Sequence, residues 1–174
     1  MRSPMYAFSP TPPMIENSRW RLRPLYPNEV AAFKATHDDE TLRWNQMTFV
    51  QLDTVVERHL RGVVDPIVGP ARRLVCLAIF DKLHGQIVGD VIALQFAGKN
   101  EIYIGYNVAA EKRGQGIAAQ AAGLLIEHIL RLQPDARILS RTLGDNRNSR
   151  RVMEKLGLRH EADEADGKVR YAKA

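Results

Sequence analysis

Residues 72–143 constrain the fold more than any other part of the chain. RRLVCLAIF (72–80), QIVGDVIALQF (86–96) and EIYIGYNV (101–108) are strand-like runs separated only by DKLHG and AGKN. Strands joined by turns that short pair antiparallel, so these three predict a meander. The period then changes. Ile117, Ala121, Leu124/Leu125, His128 and Leu132 fall on one face of a long helix that ends near Gln133-Pro134. ARILSRTL (136–143) is again a strand. Strand, helix and strand in that order (101–143) make a crossover between parallel strands. The expected class is therefore α+β (mixed α/β): an antiparallel meander plus one parallel β-α-β crossover, flanked by helices.

The remaining segments fit around this frame. RWRLRPL (19–25) reads as a first strand, and Pro27-Asn28 begins a helix carrying Val30 and Phe33 on one face. DETLRW (39–44) is a short helical turn. Asp53 is placed to cap TVVERHLRGVV, where Val56, Leu60 and Val63/Val64 keep helical spacing. DPIVGP (65–70) reads as a loop. Asp145 or Asn146 caps a helix through Leu156, with Gly157 at its left-handed end. LRHEA and VRYAK are the final strands. MRSPMYAFSPTPPMIENS has no apolar stretch of a secretory signal, and its Pro and Ser content predicts a disordered lead over 1–17 before one domain, 18–174. No apolar run reaches the roughly 18 residues of a membrane span. The single cysteine, Cys76, lies in the apolar run LVCLAIF, so it reads as a buried core thiol in a reducing, cytoplasmic setting.

Chemistry concentrates where the crossover helix begins. EKRGQGIA (111–118) sets Gly114 and Gly116 at the mouth of that helix, after Lys112 and Arg113. A helix N-terminus exposes unpaired N–H groups and a partial positive charge, and glycines let the backbone wrap an anion closely. A Walker loop is excluded because no Lys-Ser/Thr follows the second glycine. Gly114-x-Gly116-x-x-Ala119 does match a dinucleotide fingerprint. However, AAEKR separates it from the preceding strand, and the antiparallel strands before it do not suit a doubly wound sheet. The second constellation is GDNRNSRRVMEKLGLRHEA (144–162), where Asn146 and Ser149 form an N-cap pair. Both helix mouths fall at the carboxyl ends of neighbouring parallel strands, the edge where open α/β sheets bind ligands. Net charge is +5, and much of the excess sits at these two places. That excess suits one phosphorylated ligand as well as a nucleic acid, and no nucleic-acid-binding motif accompanies it. No His/Cys/Asp cluster has metal spacing, so no metal is expected.

RWRLRPL, YIGYNV, RGQGIA and NRNSRRVMEKLGL, in this order, resemble the GNAT superfamily of acyl-CoA-dependent N-acyltransferases, and more narrowly its ribosomal-protein N-acetyltransferase (Rim-type) branch. The likeness runs from about Ser18 to Leu158. It implies a GNAT-like central mixed sheet and acetyl-CoA as co-substrate. It implies that backbone N–H groups of Arg113, Gly114, Gln115, Gly116, Ile117 and Ala118 hold the pyrophosphate. Val108, Ala109 and Ala110 would pair with the pantetheine arm, Asn146 and Ser149 would contact it near the thioester, and Lys112, Arg150 or Arg151 would neutralise the 3′-phosphate. Two positions depart from the branch on the strand lining the acceptor site: Tyr103 replaces the glutamate of EIGY, and Asn107 replaces the following Trp. Glu111 stands where the family has Gln or Arg, and an acid there should point outward.

The expected reaction is direct acetyl transfer to a primary amine, either a protein N-terminus or a small molecule. Glu101 and Tyr103 share a strand face and are candidate catalytic residues, Glu101 as the base, and Ser149 is a candidate proton donor to the leaving thiolate. Asp90, His37 and His59 are further titratable groups that read as structural or surface. Acceptor walls are expected from 26–65, which hold His37, Asp38, Asp39, Glu40, Trp44 and Glu57, and from the final strands. The alternatives are a non-catalytic acyl-CoA-binding module, a basic nucleic-acid-binding protein and a nucleotide-dependent oxidoreductase. Exposed edge strands of such a sheet can pair two copies into a homodimer.

Overall fold

A computed structural model describes residues 11–47, 49–64, 72–96 and 99–173. The DPIVGP loop, the first two residues of the AGKN turn and residues 1–10 of the expected lead lie outside them. Nine strands form one sheet among the described residues: β1 Ile15–Glu16, β2 Trp20–Arg23, β3 Val63–Val64, β4 Arg72–Asp81, β5 Gln86–Phe96, β6 Glu101–Val108, β7 Arg137–Leu143, β8 Leu158–Asp163 and β9 Lys168–Lys173. Their order is β1-β2-β4-β5-β6-β7-β9-β8, with β3 beside β4. The β4-β5-β6 meander is antiparallel, and β6 and β7 are parallel neighbours. The helices are α1 Val30–Ala35, α2 Asp39–Trp44, α3 Phe49–Arg61, α4 Ile117–Leu132 and α5 Arg147–Lys155.

Strand alternation divides the core between two helix layers. Leu77 and Ile79 of β4 join Trp20, Ile104 and the α4 stripe of Ala121, Leu125 and Ile129. Ala78, one residue out of step, joins Phe33 of α1, Val56 of α3, Leu25 and Ile87 on the other face. Met153 carries α5 into the first cluster.

Three local expectations change. The sheet begins before Ser18: Ile15–Glu16 pairs with Leu22 and Arg21, and Ile15 is buried in the α4-side core. One apolar side chain under a helix holds this short strand despite the polar residues around it. Asp53 does not begin its helix. α3 starts at Phe49, and Asp53 sits on its surface, accepting a hydrogen bond from Lys34 Nζ at 2.6 Å. The helix stops at Arg61, and Val63–Val64 turns into a strand on β4.

Candidate active site

β6 and β7 remain paired over only three registered positions, Glu101–Tyr103 against Arg137–Leu139. Ser140 Oγ donates to the Ile104 carbonyl at 2.8 Å. Past that point the strands part, and a cleft of about 650 Å³ opens between Gly105–Val108 on one wall and Ser140–Leu143 on the other. Two helix mouths meet this gap.

At the α4 mouth, Gly114 has φ +76° and the N-cap Gly116 φ +78°, both in the left-handed region. A Cβ on Gly114 would meet nothing within 4 Å, so glycine is needed there for the backbone angle rather than for space. No side chain caps α4. Its first N–H groups, from Ile117 and Ala118 in the cleft wall, therefore keep their capacity for an anion. At the α5 mouth, Asn146 Oδ1 accepts from the Ser149 N–H at 3.1 Å. Lys112, Arg151 and Lys155 add positive charge around the cleft.

A third element, α2, closes one side through Glu40, Thr41 and Trp44. Arg113 ties it down. Its guanidinium donates to both Asp38 oxygens at 2.7 and 3.0 Å, to Glu40 Oε2 at 2.8 Å and to Thr41 Oγ1 at 2.8 Å. Its Nε donates to the Val108 carbonyl at 3.1 Å. The Arg113 hydrogen bonds hold the Asp38 carboxyl well below the usual carboxylate range. Asp38 also caps α2, accepting from the Thr41 N–H at 2.9 Å. Thus the glycine loop, the end of β6 and α2 share one charged clasp.

Behind this wall lies a buried polar cluster. Asp90, opposite Asn107 on the neighbouring strand, has Oδ1 3.4 Å from His37 Nε2 and Oδ2 3.3 Å from His59 Nε2. Asn107 Nδ2 lies 3.4 Å from Asp90 Oδ1, and Asn107 Oδ1 accepts from Thr41 Oγ1 at 3.0 Å. Burial alone would raise the Asp90 pKa, but the two histidines outweigh it and hold the carboxyl low. Burial would lower His37, but Asp90 outweighs it and raises that imidazole. A buried charge persists when partners replace water, and Asp90 has His37, His59 and Asn107 within 3.4 Å.

Most of the loop and helix-mouth residues singled out in the sequence come together. Val108, Arg113, Gly114, Gly116, Ile117, Ala118, Asn146 and Ser149 all line the cleft. Ala109 is buried, Ala110 and Gln115 are exposed, and none of the three is among the residues lining it. Glu111 is exposed, which fits the expectation that it points outward. Arg150 does not face the cleft: its Nε donates to Tyr171 Oη at 3.0 Å and its Nη1 to the Gly144 carbonyl at 3.1 Å.

Glu101 and Tyr103 lie away from the cleft. They occupy the paired end of β6, where Glu101 accepts from Arg137 Nη1 at 2.9 Å and Tyr103 meets Phe96 edge-on. Neither lines the cleft, so Glu101 is not placed to act as a base. Tyr106, which the sequence reading missed, does line it. Its Oη lies 3.0 Å from both the Ser149 carbonyl and Ser149 Oγ. Strand parity held the clue. Tyr106 shares a face with Ile104 and Val108, toward α4 and α5, whereas Glu101 and Tyr103 share the opposite face.

Among the described residues, no helix is long and apolar enough to cross a membrane, and no group of three or more His, Cys, Asp or Glu is arranged to hold a metal ion. The acetyltransferase (GNAT) domain family matches residues 19–159, and the chain belongs to that family. Acetyl-CoA is the co-substrate of this family. Several solved structures share the fold. An acetyltransferase from Agrobacterium tumefaciens str. C58 is 20% identical, with a TM-score of 0.73 over 100% of this chain and 99% of that one. Mycobacterium smegmatis RimJ in complex with CoA-disulfide is 21% identical, with a TM-score of 0.70 over 94% and 88%. The ribosomal-protein-S5-alanine acetyltransferase of Vibrio fischeri is 17% identical, with a TM-score of 0.62 over 92% and 95%. No curated protein matches the chain significantly.

Proposed function

We propose that this cleft transfers the acetyl group of acetyl-CoA to a primary amine, either a protein N-terminus or a small-molecule amine. The observation that carries the reading is the convergence of two helix mouths on the gap where β6 leaves β7. The uncapped α4 mouth, over Arg113–Ala118, takes the pyrophosphate. The pantetheine arm lies along the freed edge of β6 near Val108, and Asn146 and Ser149 flank the thioester. Lys112 and Arg151 face the 3′-phosphate. The single, buried Cys76 suits a reducing cytoplasm.

The amine nitrogen attacks the thioester carbon, a C–N bond forms, and the carbonyl electron pair moves to oxygen. A β6 N–H near Val108 stabilises that charge. Collapse of the intermediate breaks the C–S bond, the sulfur keeps the electron pair, and Ser149 Oγ–H faces the thiolate. The nitrogen sheds its proton to water. Holding amine and thioester together accounts for much of the acceleration. The Vibrio fischeri neighbour is named for an alanine of a ribosomal protein, which makes peptide N-termini a natural first class of acceptor.

The test is thiol release from acetyl-CoA in the presence of N-terminal peptides, polyamines and aminoglycosides. The proposal expects turnover with at least one amine, reduced by about 10- to 100-fold in Ser149→Ala. Acetyl-CoA binding with no turnover on any amine would instead favour a non-catalytic binding module. Affinity for DNA or RNA that falls steeply with salt, without acetyl-CoA binding, would favour a nucleic-acid-binding role.

A further inference from the structure

The phenol of Tyr106 has one proton and, on Ser149, two acceptors at the same distance, the carbonyl and the hydroxyl, each 3.0 Å away; the Ser140 hydroxyl is a further neighbour, whose own proton goes to the Ile104 carbonyl. Burial pushes the Tyr106 pKa up to about 12, so the proton stays on through the neutral range. The Ser149 N–H is held by Asn146 Oδ1, which fixes the backbone that carries the hydroxyl. The contact therefore has two arrangements. In one, Tyr106 donates to the Ser149 carbonyl and Ser149 Oγ–H donates back to Tyr106 Oη, leaving only lone pairs toward the cleft. In the other, Tyr106 donates to Ser149 Oγ, and the serine proton is free to turn into the cleft.

We propose that Tyr106 is a positioning residue for acetyl transfer, which turns the Ser149 hydroxyl toward the sulfur by shifting its own hydrogen bond from the Ser149 carbonyl to Ser149 Oγ. The inference rests on reading the cleft as an acetyl-CoA site with Ser149 beside the thioester. As the C–S bond breaks, the electron pair goes to sulfur, and the serine proton hydrogen-bonds to it. The Tyr106 proton follows into the place that the serine proton vacates, so Oγ remains hydrogen-bonded throughout. No proton leaves Tyr106. CoA departs as a thiolate and takes its proton from water, into which the amine has shed one. The backbone positions Tyr106 for this task, because it shares a strand face with Val108, two residues away at the end of β6.

The test uses CoA itself. The ultraviolet absorbance of the bound thiolate is titrated against pH in complexes with the wild-type protein, Tyr106→Phe, Ser149→Ala and the double variant. The expectation is a bound thiol that ionises more readily in the wild type than in either single variant. Each single variant should lower its ionisation constant by about 2- to 10-fold, the size of one hydrogen bond, and the double variant should add nothing further. A second probe keeps the ring in place: fluorotyrosine at 106, a stronger donor of the same shape, should shift the thiol the opposite way, toward easier ionisation. A wild-type titration curve in both Tyr106 variants would overturn the inference and leave Tyr106 a packing residue. Failure of the wild-type protein to bind CoA would instead overturn the acetyl-CoA reading on which it rests.

Discussion

Gly89 faces the residue pair at the end of β6. A Cβ added to it would lie 2.0 Å from the Asn107 carbonyl oxygen. Its role is close approach of two backbones, since its φ is not in the left-handed region. Gly89→Ala must push β5 and β6 apart beside the cleft wall, a change expected to cost on the order of 3 kcal/mol in urea unfolding. A loss of only a few tenths would mean that the strands separate freely there. Gly114 and Gly116 differ in kind, because their need is a positive φ at a helix mouth. That need was legible in the sequence, where two glycines between charge and an apolar stripe have few other uses. Gly89 was not legible: inside QIVGDVIALQF it looks like any strand glycine, and only the register against Val108 shows what it touches. The same limit explains the misplaced candidate base and the missed tyrosine. Glu101 and Tyr106 lie on one strand, but the chain alone does not say at which residue β7 parts from it.

At the scale of elements, the long, strongly patterned segments were legible, and the ones stabilised by contact were not. QIVGDVIALQF and EIYIGYNV are strands over the lengths expected of them, and DETLRW is α2. β1 and β3 have two residues each and exist because β2 and β4 offer edges to pair with. α2 poses a related question, since six residues form a marginal helix by themselves. Its anchors are Arg113 from the glycine loop and Asn107 from β6. These are partly exposed contacts, each of modest worth, but they act together on one short element. Arg113→Ala should therefore raise the hydrogen-exchange rates of α2 amides several-fold and leave those of α4 unchanged. Equal protection of α2 in the variant and the wild type would mean that Arg113 does not hold it. The clasp also ties the glycine loop to α2, so loosening it reaches both sides of the cleft.

For the whole molecule, the buried Asp90 cluster links stability to pH. The folded-state pKa of His37 is raised above its ordinary value of 6.5, so its contribution is complete below that value and is lost as pH rises through the raised one. Asp90 is depressed below its ordinary 3.8, so its contribution is present above that value and is lost as pH falls toward the depressed one. The pair therefore contributes most between about pH 4 and 6.5. Denaturant midpoints should decline as pH rises above 6.5, and His37→Gln should remove most of that decline. An unchanged decline in the variant would place its origin elsewhere. Because Asn107 links the cluster to Thr41 of α2, loss of the pair on the alkaline side should also loosen the cleft wall.

The central claim is that the α4 mouth and the gap between β6 and β7 together hold acetyl-CoA. The most direct measurement is the thermal midpoint of the wild-type protein and Gly114→Val with acetyl-CoA, with NAD and ATP as controls. At about 100 times Kd, binding contributes roughly 2.7 kcal/mol. For a chain of this length that is a rise on the order of 5–10 °C. The expected result is that rise in the wild type with acetyl-CoA alone, and its loss in Gly114→Val, whose branched side chain sits at φ +76° on the glycine loop. No rise with acetyl-CoA, or a rise only with NAD or ATP, would contradict the claim.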